Sequence, residues 1–178
     1  MPAVDHMSII IEIQVLAGSG RRADAARALL DACRARWLSA LDAQRLVPDI
    51  WLRLDPPVGP RGPLSADEWL EVFDFSGFFV QGPPTLVASE PMDLYRAAPS
   101  DRSRGMSWCT HRQMAERFLP KHDLWGRYEI WKALVKPEAI LAVLFRPDDG
   151  LFVAPIGAPR EVVVNPHVLG EVVRAVED

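Results

Sequence analysis

The stretch Pro56-Pro57-Val58-Gly59-Pro60-Arg61-Gly62-Pro63 constrains this chain more than any other. Proline fixes φ and removes a backbone donor, and the intervening glycines loosen the chain, so no helix or strand continues through these eight residues. They mark the best candidate boundary in the sequence. The expected organisation is a strand–helix segment over 1–55, a linker or surface loop over 56–63, and a larger domain over 64–178. A polyproline-type ligand segment for a partner domain is the alternative for 56–63.

On the N-terminal side, Ser8 to Leu16 (SIIIEIQVL) is rich in β-branched residues and reads as a strand, followed by a turn at Gly18-Ser19-Gly20. From Arg21 to about Leu46 the pattern becomes helical. Leu30, Cys33, Trp37, Leu38 and Leu41 recur at spacings that place them on one apolar stripe. Just past the boundary, Ser65-Ala66-Asp67-Glu68 has the form of a capping box, with Leu64 and Trp69 placed as a hydrophobic staple. That helix should run to about Phe73. Phe75, Phe78 and Phe79 around Gly77 read as an aromatic core cluster, and Gly82-Pro83-Pro84 as a turn.

Beyond Pro91 the chain reads as short strands separated by turns: Met92–Ala97, Gly105–Thr110, Tyr128–Val135, Ile140–Phe145, Leu151–Ala154 and Glu161–Val164. One helix, from His111 to about Leu119, is stopped by Pro120. Many strands with few helices point to an α+β domain with a mostly antiparallel sheet, not to βαβ winding.

Of the 178 residues, 49% are hydrophobic and 25% charged, a balance that supports a buried core. A net charge of -4 gives no electrostatic reason to expect nucleic acid as the main partner, although arginines cluster between Arg96 and Arg117. The apolar run near the N-terminus follows Asp5 and is interrupted by Glu12, unlike a signal peptide. No stretch approaches the ~18 uninterrupted apolar residues of a membrane span. Cys33 and Cys109 have no partner at metal-ligand spacing, so no metal is expected and a reduced, cytoplasmic setting is the simplest expectation.

No phosphate-binding loop, dinucleotide fingerprint, zinc-protease motif or nucleophile elbow occurs. What remains is a constellation on three predicted strands: Tyr95-Arg96, then Met106-Ser107-Trp108-Cys109-Thr110, then Glu161-Val162-Val163-Val164-Asn165-Pro166. An aromatic–Arg strand, a Ser-x-x-Thr strand leading into a helix and a late Glu before an apolar strand resemble the arginine–serine–glutamate class of ADP-ribosyltransferases. The stretch LYRAAPSDRSRGMSWCTHRQMAERF is similar to small actinobacterial and phage proteins of that superfamily. The resemblance covers about Leu94 to Leu169 and implies a split-sheet core that binds NAD as substrate.

Under that resemblance, Arg96 grips the dinucleotide, its planar fork of donors suiting phosphate or ribose oxygens. Ser107 matches the first position of the family's serine–threonine–serine strand and orders the pocket, while Trp108 and Cys109 depart from that pattern. Glu161 takes the catalytic role, holding the ribose 2′-OH more strongly as oxocarbenium character develops. Tyr95 and Thr110 are further pocket candidates. Thr110 has the alternative role of N-cap to the following helix. Trp108, Phe118, Tyr128 and Trp131 are the aromatics available to stack on nicotinamide, and Tyr128 is the choice among them. Pro159 stands where arginine-modifying members carry a second glutamate, so a non-arginine acceptor is expected, either protein or nucleic acid.

Two other outcomes stay open: an NAD glycohydrolase toxin with water as acceptor, and a silent binding or inhibitor protein on the same fold. The residues also allow a Cys109–His111 thiolate pair, with a buried strand cysteine as the alternative. His111, Glu116, His122 and Asp123 fit no established metal spacing. Arg102, Arg104, Arg112 and Arg117 with Trp108 and Phe118 form a candidate basic, aromatic surface for a nucleic-acid acceptor.

Overall fold

The computed structural model describes residues 5–59, 61–81, 89–119, 127–145 and 161–176. The chain is α+β and forms two compact units, Met1–Phe79 and Val80–Asp178. No helix among the described residues is long and apolar enough to cross a membrane.

Four helices make up the described part of the first unit: α1 (His6–Gly18), α2 (Arg22–Arg34), α3 (Ala40–Trp51) and α4 (Ala66–Ser76). α1 replaces the strand expected at Ser8–Leu16. Its isoleucines also satisfy a helical period, with Ile10, Ile13 and Ala17 turned inward at spacings of three and four. Asp5 caps the N-terminus, accepting from Met7 N–H at 3.2 Å and from the Ser8 hydroxyl at 2.8 Å. Packing against α2 and α3 overrides the β preference of branched residues, which is largely a preference for a half-buried pleated surface.

The single helix expected from Arg21 to Leu46 is two helices. α2 closes in a Schellman arrangement, with Trp37 N–H on Ala32 C=O at 2.9 Å and Arg36 N–H on Cys33 C=O at 3.0 Å. Arg36 occupies the left-handed position, φ 55°, that glycine usually fills. Ser39 then starts α3 in a capping box with Asp42. Of the predicted stripe, Leu30, Cys33 and Leu38 are buried, whereas Trp37, in the break, and Leu41, in the first turn of α3, are exposed.

The capping box at Ser65 and Glu68 forms as expected, and α4 extends past Phe73 to Ser76. The aromatic core is different from the one expected. Trp51 meets Trp69 edge-on, with ring centroids 4.8 Å apart, and Phe73 at 5.5 Å. Phe79 stacks on Phe73, Phe75 is half-buried and Phe78 is exposed. The proline–glycine stretch lies inside this unit and is tied down: Trp69 Nε1 donates to Pro57 C=O at 3.0 Å, and Arg27 reaches both Pro63 C=O and Glu68.

The second unit carries two sheets, one of order β1-β5-β6-β3 and one of order β2-β4-β7. β1 (Phe79–Val80) lies at the division, and β2 (Met92–Pro99), β3 (Ser107–Trp108), β4 (Tyr128–Val135), β5 (Ile140–Leu144), β6 (Glu161–Val164) and β7 (Val172–Arg174) follow. The β2–β4, β4–β7, β5–β6 and β3–β6 pairs are antiparallel. Leu94, Trp108, Ala133, Val135, Ile140, Val143, Val162 and Val164 form the main core. A smaller cluster of Cys109, Ala115 and Ile130, with Tyr95 and Ala97 against it, lies by the short helix α5 (Arg112–Glu116). The expected strand at Leu151–Ala154 lies outside the described residues, as does Pro120. β7 is not among the expected strands, since its three residues are too few to carry a period.

Candidate functional site

β2 and β3 belong to different sheets, and a reciprocal pair of hydrogen bonds joins them: Tyr95 N–H to Cys109 C=O at 2.8 Å and Cys109 N–H to Tyr95 C=O at 2.7 Å. That junction places the side chain next along β2, Arg96, beside the start of β3. Arg96 Nη1 donates to Ser107 C=O at 2.5 Å and Nε to Arg102 C=O at 3.4 Å. Two of the five guanidinium donors are thus used on the backbone of the β2–β3 connection.

Register brings Glu161 to the same place. Ser107 pairs with Val163 and Trp108 with Val162, so continuing one residue sets Cys109 level with Glu161. Alternation then puts Ser107, Cys109, Val163 and Glu161 on one face of the sheet, with Ser107 and Glu161 diagonal neighbours. Trp108, Val162 and Val164 point the other way, into the main core. Burial lowers the Arg96 guanidinium from its ordinary value, and the Glu161 carboxylate is the strongest charge opposing that shift. Arg96, Ser107 and Glu161, from three strands, therefore meet in one half-buried region.

The other candidates are placed differently. Tyr95 lies on the opposite face of β2 from Arg96, packed in the α5 cluster with Lys132 Nζ 6.0 Å from its ring centroid. Tyr128 pairs with Pro99, and alternation assigns it to the Tyr95 side, yet its phenol adds to the charge felt by Arg96. Trp131 is the aromatic directly across from Arg96 on the same face, its Nε1 donating to Ala98 C=O at 2.9 Å. Thr110 Oγ1 lies 2.8 Å from His111 Nδ1, and His111 rather than Thr110 holds the N-cap position of α5.

Two rival chemistries lose their basis. The Cys109 thiol is pushed up to about 12 by burial and by Glu161, so it is no thiolate nucleophile near neutral pH. Trp108 is fully buried and so takes no part in a basic, aromatic surface. Arg104 is committed to Leu169 and Gly170 carbonyls, and Arg112 to Glu116 and Val176 C=O. Among the described residues no group of His, Cys, Asp and Glu is arranged to hold a metal; His122 and Asp123 lie outside them.

Gly105 belongs to the same region, although no motif contains it. A Cβ there would overlap the Arg96 guanidinium. The sequence signal that marks it is an isolated glycine at the entrance to a strand, where such glycines accompany close approach. Comparison with protein-family models, curated proteins and solved structures found no match to this chain.

Proposed function

We propose that the second unit binds NAD, cleaves its nicotinamide–ribose bond and passes ADP-ribose to a macromolecular acceptor other than arginine. The observation that carries this is the meeting of Arg96, Ser107 and Glu161 from three separate strands. A half-buried cation with part of its donor fork spent on the backbone is pre-oriented, so its other donors meet a diphosphate at reduced entropic cost. Ser107 holds the guanidinium through its carbonyl. Glu161 supplies a carboxylate for the ribose 2′-OH.

In the reaction the C1′–N bond breaks and its electron pair leaves with neutral nicotinamide. Positive charge develops on the ribose, and the carboxylate stabilises that state more than the ground state. The acceptor nucleophile then bonds to C1′ and gives up its proton. Trp131, sharing the face of Arg96, joins Tyr128 as a candidate to stack on nicotinamide. Buried reduced thiols at Cys33 and Cys109 support a cytoplasmic setting.

The test is incubation of the full chain beside the Glu161→Gln variant with NAD labelled in the nicotinamide, to follow release, and in parallel with NAD labelled in the ADP-ribose part, to follow transfer. Loss of one transition-state hydrogen-bonding charge is expected to slow nicotinamide release on the order of 10²–10³-fold. Equal turnover by the two proteins sinks the mechanism. Release without labelled macromolecule makes water the acceptor.

A further inference from the structure

We propose that Gly105 is a positioning residue: its missing side chain is the seat that holds the Arg96 guanidinium flat against the β2–β3 connection. The three heavy atoms nearest to a Cβ at Gly105 all belong to that guanidinium: Cζ, Nη2 and Nε, the last at 2.9 Å. Backbone conformation does not demand glycine here, since Gly105 is absent from the positive-φ glycines. The side chain of Arg96 is therefore what requires it.

What yields when the seat is filled follows from the hydrogen bonds of the connection. Arg102 and Ser107 carbonyls are held by Arg96 itself. Gly105 C=O accepts from Trp108 Nε1 at 2.7 Å, and Met106 C=O from Val164 N–H at 2.8 Å. Arg104 grips the carbonyls of Leu169 and Gly170 from the same segment. Trp108 and Val164 are both in the main core, so the backbone is anchored independently of Arg96. A methyl group at position 105 consequently displaces the flexible guanidinium and leaves the connection in place.

This inference rests on the NAD reading only for the identity of the ligand that the seated arginine meets. The experiment compares the full chain with Gly105→Ala, Arg96→Ala and the double variant. It reads the Arg96 Nε–Hε resonance, thermal stability and NAD affinity by calorimetry. Gly105→Ala is expected to move the Arg96 resonance and to weaken NAD binding on the order of tenfold, comparable to loss of charge-assisted bonds. In the Arg96→Ala background the same substitution changes neither affinity nor stability, because the obstacle is gone. An unmoved Arg96 resonance overturns the proposal, and so does equal destabilisation by Gly105→Ala in both backgrounds. If the resonance and the stability coupling behave as stated but the wild-type chain binds no NAD, the seat stands and the NAD reading fails.

Discussion

Trp108 couples the core of the second unit to its candidate site, and Trp108→Phe measures that coupling. The indole is fully buried among Leu94, Val162 and Val164, and its Nε1 holds Gly105 C=O at 2.7 Å. Phenylalanine restores most of the apolar volume but leaves a small void, which costs about 1 kcal/mol. It also releases the Gly105 carbonyl. Gly105 is half-buried, so that cost lies near the low end of the range for an unpaired acceptor, about 1 kcal/mol. The sum of about 2 kcal/mol corresponds to roughly 30-fold in the equilibrium for opening. With tryptophans in both units, fluorescence would mix their signals, so amide hydrogen exchange at Val162–Val164 is the better assay. Protection there should fall by that factor. A fall under about threefold would show that neither the void nor the released carbonyl matters, refuting the argument that this indole anchors the connection.

Two further outcomes follow from shifted groups. Glu68 is held down to about 2 from 4.5, first by the Ser65 N–H and then by Arg27. Its ionised form favours the folded state above about pH 4.5, and that contribution disappears as pH falls towards 2. Urea midpoints of wild type should therefore drop more steeply than those of Glu68→Gln between these values, and parallel profiles would refute the assignment. Burial pushes both Cys33 and Cys109 up to about 12. At pH 8 the native chain should react with iodoacetamide more than about 100-fold slower than the urea-unfolded chain. Labelling of either thiol at the unfolded rate would contradict its placement.

How far the sequence revealed the fold depends on which signal each segment carried. Capping chemistry was local and explicit at Ser65 and Glu68, and the start of α4 followed from it. The same chemistry at Ser39 and Asp42 was hidden inside an apolar stripe that continues in register across the break, so two helices read as one. The break rests on Arg36 adopting a left-handed conformation, which an arginine side chain does not announce. At α1, three consecutive isoleucines fit both a strand and a helix, and only burial of Ile13 and Ala17 decides between them. In the second unit, β4 and β6 matched their expected bounds because each ends on a valine followed by a polar residue and a proline, Lys136-Pro137 and Asn165-Pro166.

The candidate site was legible as residue types in order, and its geometry was not. Strand order in sequence gave no means to know that β2 and β3 lie in separate sheets yet touch at Tyr95 and Cys109. That contact determines which neighbours Arg96 has. Alternation along β2 sets Tyr95 on the far face and the β2–β4 register brings Trp131 across from Arg96, 35 positions away, while the β2–β3 contact sets Arg96 against the start of β3. It also explains why the cation is tolerated where it is. Ser107 and Arg102 carbonyls accept from it, and Glu161 offsets part of the cost of burial. Removing Glu161 and removing Gly105 should thus disturb the same guanidinium in different ways. Loss of the carboxylate changes the electrostatic environment while the seat persists; filling the seat displaces the cation while the carboxylate persists. Only the first should slow bond cleavage in excess of its effect on NAD binding, which separates the residue assigned to the chemistry from the one that positions the ligand's anchor.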